Sequence, residues 1–167
     1  VIENVMVAQH AKIRSGLIPI IAGLRSFRRE EAAVRQKAFE YLEFVGLEAF
    51  SDYDAGNLPY GAQRRLEIAR ALATEPLLVL LDEPTRGVDV GSKVEIYRLI
   101  NRLAAQGKAV VFVSSYLPEL LGICDRVAVM YAGEIVEHTD VMTLFRDPLH
   151  PYTRGLIGSI PVVGDLR

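Results

Sequence analysis

Apolar positions along the chain change their period several times, and each change marks an element. Val1 to His10 reads as a short helix. Ser15 to Phe27, with Gly16, Pro19 and Gly23, reads as an irregular linker or a broken helix. An amphipathic helix follows: Val34, Ala38, Tyr41, Leu42 and Val45 share one face, Glu30 and Glu31 favour its first turn, and Gly46 stops it. Ser51 to Pro59 is a polar loop. A second helix is predicted from about Gly61 to Ala73, with Ala62, Leu66, Ala69, Leu72 and Ala73 inward and Arg64, Arg65 and Glu67 elsewhere.

The period is then lost. Leu77 to Leu81 is a continuous apolar run closed by Asp82-Glu83-Pro84, which predicts a strand buried on both faces of a parallel sheet. A third helix is predicted to start at Ser92 in a capping box with Glu95, to turn Val94, Tyr97, Ile100, Leu103 and Ala104 inward, and to end at Gly107. Further strands are predicted at Ala109–Val113, Val127–Met130 and around Ile135 and Val136, the last pair joined through Tyr131-Ala132-Gly133-Glu134. A short helix near Val141 to Phe145 precedes Pro148, Pro151 and Pro161. Strands alternating with helices place the chain in the α/β class, a mostly parallel sheet flanked by helices.

Composition changes this picture little. With 167 residues, half of them hydrophobic and a quarter charged, the chain suits one folded α/β domain of ordinary size. A formal net charge of −2 argues against a nucleic-acid partner. Arg25, Arg28 and Arg29 form only a short cluster, read as a solvated loop. Cys124, the one cysteine, allows no intramolecular disulfide, fits a reducing compartment, and reads as filler near a helix end. No apolar run approaches the roughly 20 residues of a membrane-spanning helix. His10, His138 and His150 show no metal-binding spacing. A first residue of Val1 rather than Met leads to the expectation that the chain is cut from something longer.

Two features carry chemistry. A buried strand delivers its last residues to the sheet edge, where ligands bind in α/β folds. Of two adjacent carboxylates there, Asp82 can hold Mg²⁺ through water and Glu83 can orient or deprotonate an attacking water. Upstream, Leu58-Pro59-Tyr60-Gly61-Ala62-Gln63 opens a helix, where a glycine lets backbone N–H groups approach a phosphate. Alone, the first is a pair of capping acids and the second a Pro-containing turn. Together, at this spacing, they are far more specific.

The stretch LPYGAQRRLEIARALATEPLLVLLDEPTRGVD resembles the signature motif, Walker B strand and D-loop of ATP-binding cassette (ABC) ATPases. The resemblance implies a partial P-loop NTPase fold with a helical subdomain. It places Leu58 to Ala62 in the signature motif, with Gln63 beside it, ends Walker B at Asp82, makes Glu83 the catalytic carboxylate and puts Gly87, Val88 and Asp89 in the D-loop. It implies ATP and Mg²⁺ as cofactors. Partners would be transmembrane permease subunits and a second ABC ATPase, since two cassettes sandwich ATP head to tail. The site would lie on the cytoplasmic inner face of the membrane. On this reading residues 1–75 are the helical subdomain and signature helix, 76–137 the Walker B, D-loop and switch part, and 138–167 a C-terminal tail.

Departures from the family pattern bound the claim. None of the 13 glycines lies in a G-x-x-x-x-G-K-[ST] loop, so the phosphate cradle and its lysine are missing, and truncation is the expected reason. Ser115 stands at the place of the switch histidine; it can hydrogen-bond a γ-phosphate but offers no imidazole. Pro59 stands where the motif usually has serine and offers neither hydroxyl nor N–H. Thr85-Arg86-Gly87 is an unusual lead into the D-loop, with parallels in sugar importers.

The resemblance is also mosaic. YGAQRRLEIARAL is similar to branched-chain amino acid importer ATPases, VSSYLPELLGICDRVAVMYAGEIV to the second cassette of sugar importers, and HPYTRGL with Ser159-Ile160-Pro161 to peptide importer ATPases. A recombined, engineered or computer-generated chain is one expectation. By analogy the phosphate-loop strand would lie between the strands at 109–113 and 127–130, so these either pair directly or present open apolar edges. The isolated chain is therefore expected to be marginal, oligomeric or partly molten. Two functional readings stand: part of an ATP-hydrolysing importer subunit coupling ATP to uptake, or an inactive degenerate cassette or chimeric fragment that only binds partners. A repair-type ATPase would call for long coiled-coil heptads, and none are present.

Overall fold

A computed structural model describes residues 1–9 and 25–160. His10, Gly16, Pro19, Gly23 and Pro161, all used above, lie outside the described residues. Along the chain run helix α1 (Ile2–Ala8), α2 (Arg25–Phe44), two single 3₁₀ turns (Glu48–Phe50, Ala55–Asn57), α3 (Tyr60–Leu72), strand β1 (Leu78–Asp82) and α4 (Val90–Ala105). Strand β2 (Ala109–Val113), a helical turn α5 (Leu117–Leu120), strands β3 (Arg126–Tyr131) and β4 (Glu134–Asp140), and helices α6 (Val141–Arg146) and α7 (Pro151–Gly158) complete it. The described chain divides into two compact units, 1–111 and 112–167.

In the first unit α2 begins earlier than its acidic turn suggested: Arg25 to Phe27, expected in an irregular stretch, are helical. Of its stripe, Ala38, Leu42 and Val45 are buried and Val34 and Tyr41 half-buried. It ends where Gly46 enters the left-handed region at φ +68°. Helices α1, α2 and α3 pack on one another, and α3 packs on α4. Two arginines reinforce the end of α2, whose last turn has no basic residue of its own. Arg65 from α3 donates to the Val45 and Gly46 carbonyls at 3.1 and 3.3 Å, and Arg102 from α4 donates to the Phe44 carbonyl at 2.9 Å while lying over the Phe44 ring. Both place positive charge at the negative end of the helix dipole.

Helix α4 starts two residues before the expected Ser92. Asp89 is its cap, and its carboxylate accepts from the Ser92 N–H at 3.0 Å. Glu95, expected to close a capping box, instead pairs with Arg65 at 3.0 Å.

β1 and β2 are neighbours in a two-stranded sheet. The Ala109 N–H donates to the Leu77 carbonyl at 3.0 Å, so the two strands begin side by side, the arrangement of a parallel pair. The expectation that β1 is buried on both faces is corrected. Val79 and Leu81 are inside, whereas Leu78, Leu80 and Asp82 are exposed. An unbroken apolar run reports what a strand is suited to bury; the cover itself comes from other layers, which the sequence of the strand does not contain.

In the second unit β3 pairs antiparallel with β4 around a turn in which Ala132 and Gly133 both have positive φ (50° and 85°). Leu120, Val127, Val129, Val141 and Leu144 form the core, backed by Phe112, Cys124, Val136, Phe145 and Leu156. Burial raises the Cys124 thiol above its usual range. Helix α7, not among the elements predicted above, has Pro151 in its first turn and His150 as its cap. It is held to β4 by Glu137, which accepts from the Leu149 and His150 N–H groups at 2.8 and 3.0 Å. Those bonds hold the Glu137 carboxyl below its usual range. The buried Thr153 hydroxyl faces the same carboxylate without the geometry of a hydrogen bond. β2 and β3 belong to different sheets, so the direct pairing considered above does not form.

Candidate functional site

β1 ends on the carboxylate pair. Asp82 is the last strand residue and is exposed; Glu83 follows, half-buried, at φ +46°. A glutamate in the left-handed region costs about 1–3 kcal/mol and is held there only by its surroundings. Those surroundings are a tight turn in which the Arg86 N–H donates to the Glu83 carbonyl at 3.1 Å and the Val88 N–H to the Thr85 carbonyl at 3.3 Å. The turn leaves through Gly87, φ +71°, to Asp89 at the head of α4. The Ser92 N–H bond holds the Asp89 carboxyl below the ordinary aspartate range.

The head of α3 lies against this turn. A Cβ on Gly61 would sit 2.5 Å from the Ser92 Cβ, closer still to its hydroxyl, and 3.5 Å from a Val88 methyl. A Cβ on Gly87 would sit 3.6 Å from the Tyr60 ring. Leu58–Gln63 and Gly87–Ser92 therefore form one packed patch, reached directly from the carboxylate pair through a four-residue turn.

Not every residue expected to meet a ligand is aimed outward. Gly61 is buried, and its lack of a side chain lets the helix head pack closely on Ser92 and Val88. The Ala62 and Gln63 N–H groups both donate to the Pro59 carbonyl, at 2.9 and 3.0 Å. Pro59 brings no side-chain cap, which leaves the Tyr60 and Gly61 N–H groups as the uncapped donors of the first turn. Leu58 and Ala62 are buried, and the Gln63 amide is turned back onto the Leu58 carbonyl at 2.8 Å. Tyr60 is exposed; its hydroxyl accepts from Arg64 Nε at 3.0 Å, and the guanidinium lies 4.9 Å from the ring centre. Ser115 is exposed just past the end of β2, in the second unit.

Sequence reasoning did not find the contact of Ser92 with Gly61, the strain at Glu83 or the Arg65 clamp. The Ser92 contact and the partners of Arg65 come from other segments of the chain, and backbone strain leaves no mark on composition. Two cavities open elsewhere in the first unit. One, of about 200 Å³, is lined by Tyr41, Phe44, Leu72, Leu103 and Lys108; the other, of about 380 Å³, by Ile2, Arg35, Asp52 and Tyr53. Neither includes a residue of the patch.

The ABC transporter family model matches residues 3–86, half of the chain, and takes in the α3 head, β1, Asp82 and Glu83. The chain belongs to the ABC transporter family. A second family model, the oligopeptide/dipeptide transporter C-terminal region, matches residues 136–167. The xylose import ATP-binding protein XylG of Escherichia coli K12 is 36% identical over 147 residues, covering 80% of this chain and 29% of that protein; XylG of Shigella flexneri matches equally. The chain thus spans under a third of the length of the curated relatives it matches.

Among solved structures, the ADP conformation of MJ1267, an ATP-binding cassette of an ABC transporter, superposes with a TM-score of 0.73 at 26% identity. It covers 95% of this chain and 62% of that one. The cassette MJ0796, in a dimeric post-hydrolysis state bound to ADP and Pi, matches with a TM-score of 0.65 at 27% identity, covering 84% and 56%. The fold is accordingly a partial ABC cassette of the P-loop NTPase class. The mosaic reading has a counterpart in these matches, since a sugar-import relative spans most of the chain and a peptide-transporter model covers the tail.

Among the described residues no three His, Cys, Asp or Glu side chains are grouped to hold a metal ion. No helix among the described residues is long and apolar enough to cross a membrane.

Proposed function

We propose that the chain is the signature-helix and carboxylate portion of the ATP-hydrolysing subunit of an ABC importer, acting once the rest of a cassette is supplied. The observation that carries this reading is the packing of the α3 head on the turn that follows Asp82 and Glu83, through Gly61 against Ser92 and Gly87 against Tyr60. Asp82 would hold Mg²⁺ through water and Glu83 would orient the water that attacks the γ-phosphate. Tyr60 and Gly61, the uncapped end of α3, would face a nucleotide held by a second ABC ATPase, with Leu58, Pro59, Ala62, Gln63 and Asp89 shaping that end and Ser115 standing in for an imidazole. The dimeric MJ0796 cassette bound to ADP and Pi supports a two-subunit arrangement. Permease subunits as partners, a place on the inner face of the cell membrane, and coupling of turnover to solute uptake belong to the same proposal, supported by the import function named for XylG.

A second reading, a non-catalytic cassette that serves only as a binding module, is favoured by specific observations: Pro59 at the signature position, Ser115 in place of histidine, and the Ala62 and Gln63 amides already occupied. One experiment separates the two. The part of the MJ1267 cassette without a counterpart here is fused to this chain, and ATP hydrolysis is measured with and without Glu83→Gln. Turnover that falls by about a hundredfold or more in the variant while ATP-dependent dimerisation persists supports the catalytic reading. Turnover indifferent to Glu83→Gln overturns it, and dimerisation without turnover leaves the binding module.

A further inference from the structure

The turn that follows β2 is closed by a ring of three hydrogen bonds. The Ser114 hydroxyl donates to the Glu119 carboxylate and accepts from the Tyr116 N–H at 2.9 Å. The Tyr116 carbonyl accepts in turn from the Glu119 N–H at 3.2 Å. All of these groups lie in the second unit. Glu119 is only 8% exposed. Burying a carboxylate is costly unless hydrogen bonds replace its water, so the Ser114 bond fixes where this one sits. The next residue, Leu120, belongs to the core with Val127, Val129 and Leu144, which anchors α5 beneath the turn.

The residue enclosed between the pinned positions is Ser115, and it is exposed. A serine hydroxyl stands one bond beyond Cβ and turns on a single side-chain torsion. Its place in space is almost wholly that of its backbone. A longer imidazole could make up a shift of the turn by rotating; a serine cannot. We propose that Glu119 is a positioning residue for Ser115: through Ser114 it fixes the turn that presents the Ser115 hydroxyl to the γ-phosphate. The inference rests on the nucleotide reading given above for Ser115. Glu119 itself touches no nucleotide and acts only through the Ser114 hydroxyl. A displacement of about 1 Å at such a contact can cost as much as a hundredfold in rate, so the ring matters to turnover.

The test has two arms. In the full 167-residue chain, hydrogen exchange at the Tyr116 amide reads the turn. Ser114→Ala and Glu119→Ala are expected to speed that exchange about tenfold or more, while amides of the β3–β4 pair stay as slow as in the parent. Ser114→Thr keeps a hydroxyl and Glu119→Gln keeps an accepting oxygen, so both should stay near the parent rate. In the fused cassette described above, ATP turnover reads the consequence. Ser115→Ala, Ser114→Ala and Glu119→Ala should each lower kcat about tenfold, with KM for ATP changed less than about twofold. The double variant Glu119→Ala/Ser115→Ala should be no slower than Ser115→Ala, because nothing is left to position. Glu119→Gln should restore the rate. Four outcomes overturn the inference: Tyr116 exchange unchanged in both alanine variants, exchange that rises equally in the β3–β4 amides, losses that multiply in the double variant, or turnover that depends on Glu83 and not on Glu119. The last leaves the catalytic reading intact. A fused cassette without Glu83-dependent turnover removes the catalytic reading and this inference together.

Discussion

Gly61 at the head of α3 and Ser92 in the first turn of α4 share a space that has no room for a second side chain: a Cβ on Gly61 would lie 2.5 Å from the Ser92 Cβ. The obstructing atom is Ser92's own Cβ, which rotation about its side chain cannot move. Gly61→Ala is therefore expected to destabilise the chain by about 1–3 kcal/mol through overpacking. Ser92→Gly should restore most of that loss, whereas Ser92→Ala should not. Denaturant unfolding of the two singles and the double gives the coupling directly.

Glu83 and Glu75 both occupy the left-handed region, at φ +46° and +53°. Glycine relieves that strain but loses more freedom on folding, so Glu83→Gly is expected to change stability little or raise it by up to about 1 kcal/mol. Glu83→Ala should bring no gain. A large loss of stability on Glu83→Gly would show that the side chain, and not the turn, holds the backbone in place.

Arg65 is only 15% exposed and reaches two carbonyls as well as Glu95. Its Nε is buried without a partner, so the guanidinium is already incompletely satisfied. Arg65→Ala should cost about 1.5–3 kcal/mol, the range for hydrogen bonds to a charged group. Glu95→Ala, removing a half-exposed partner, should cost less than about 1 kcal/mol. Thermal unfolding distinguishes the two, and equal losses would contradict a clamp centred on the carbonyls of α2.

The Asp89 cap predicts a pH dependence. The Ser92 N–H lowers the folded-state carboxyl below an ordinary aspartate, near 3.9, so its stabilisation is complete above that value and is lost as pH falls through the lower folded one. Asp89→Ala should be less stable than the parent chain at neutral pH, and the difference should close below about pH 4. A difference independent of pH would assign the effect to something other than the charged cap.

The elements were largely legible because their period is local. The stripe of α2 with its stop at Gly46, and the strand at Ala109–Val113, depend on neighbours in sequence. What failed depended on the rest of the molecule. Ser92 and Glu95 spell a capping box, but Asp89 reaches the same N–H and Arg65 draws Glu95 away. Leu77 to Leu81 spells a buried strand, but burial needs layers beyond the strand. Helix α7, which Pro151 starts, is missing from the elements predicted for the tail. At the site, Asp82, Glu83 and the α3 head were readable as a motif. The service of Gly61 to Ser92 was not, because it is a contact between residues 31 positions apart.

The most direct measurement maps where nucleotide touches this chain. In the fused, complete cassette, an ATP analogue photoreactive at its γ-phosphate is bound with Mg²⁺ and irradiated, and adducts are located by mass spectrometry. The account predicts labelling in the segments Leu58–Gln63 and Asp82–Asp89, lost when ATP competes. Saturable labelling confined to other segments, such as the cavity beside Phe44 and Leu103, would contradict it.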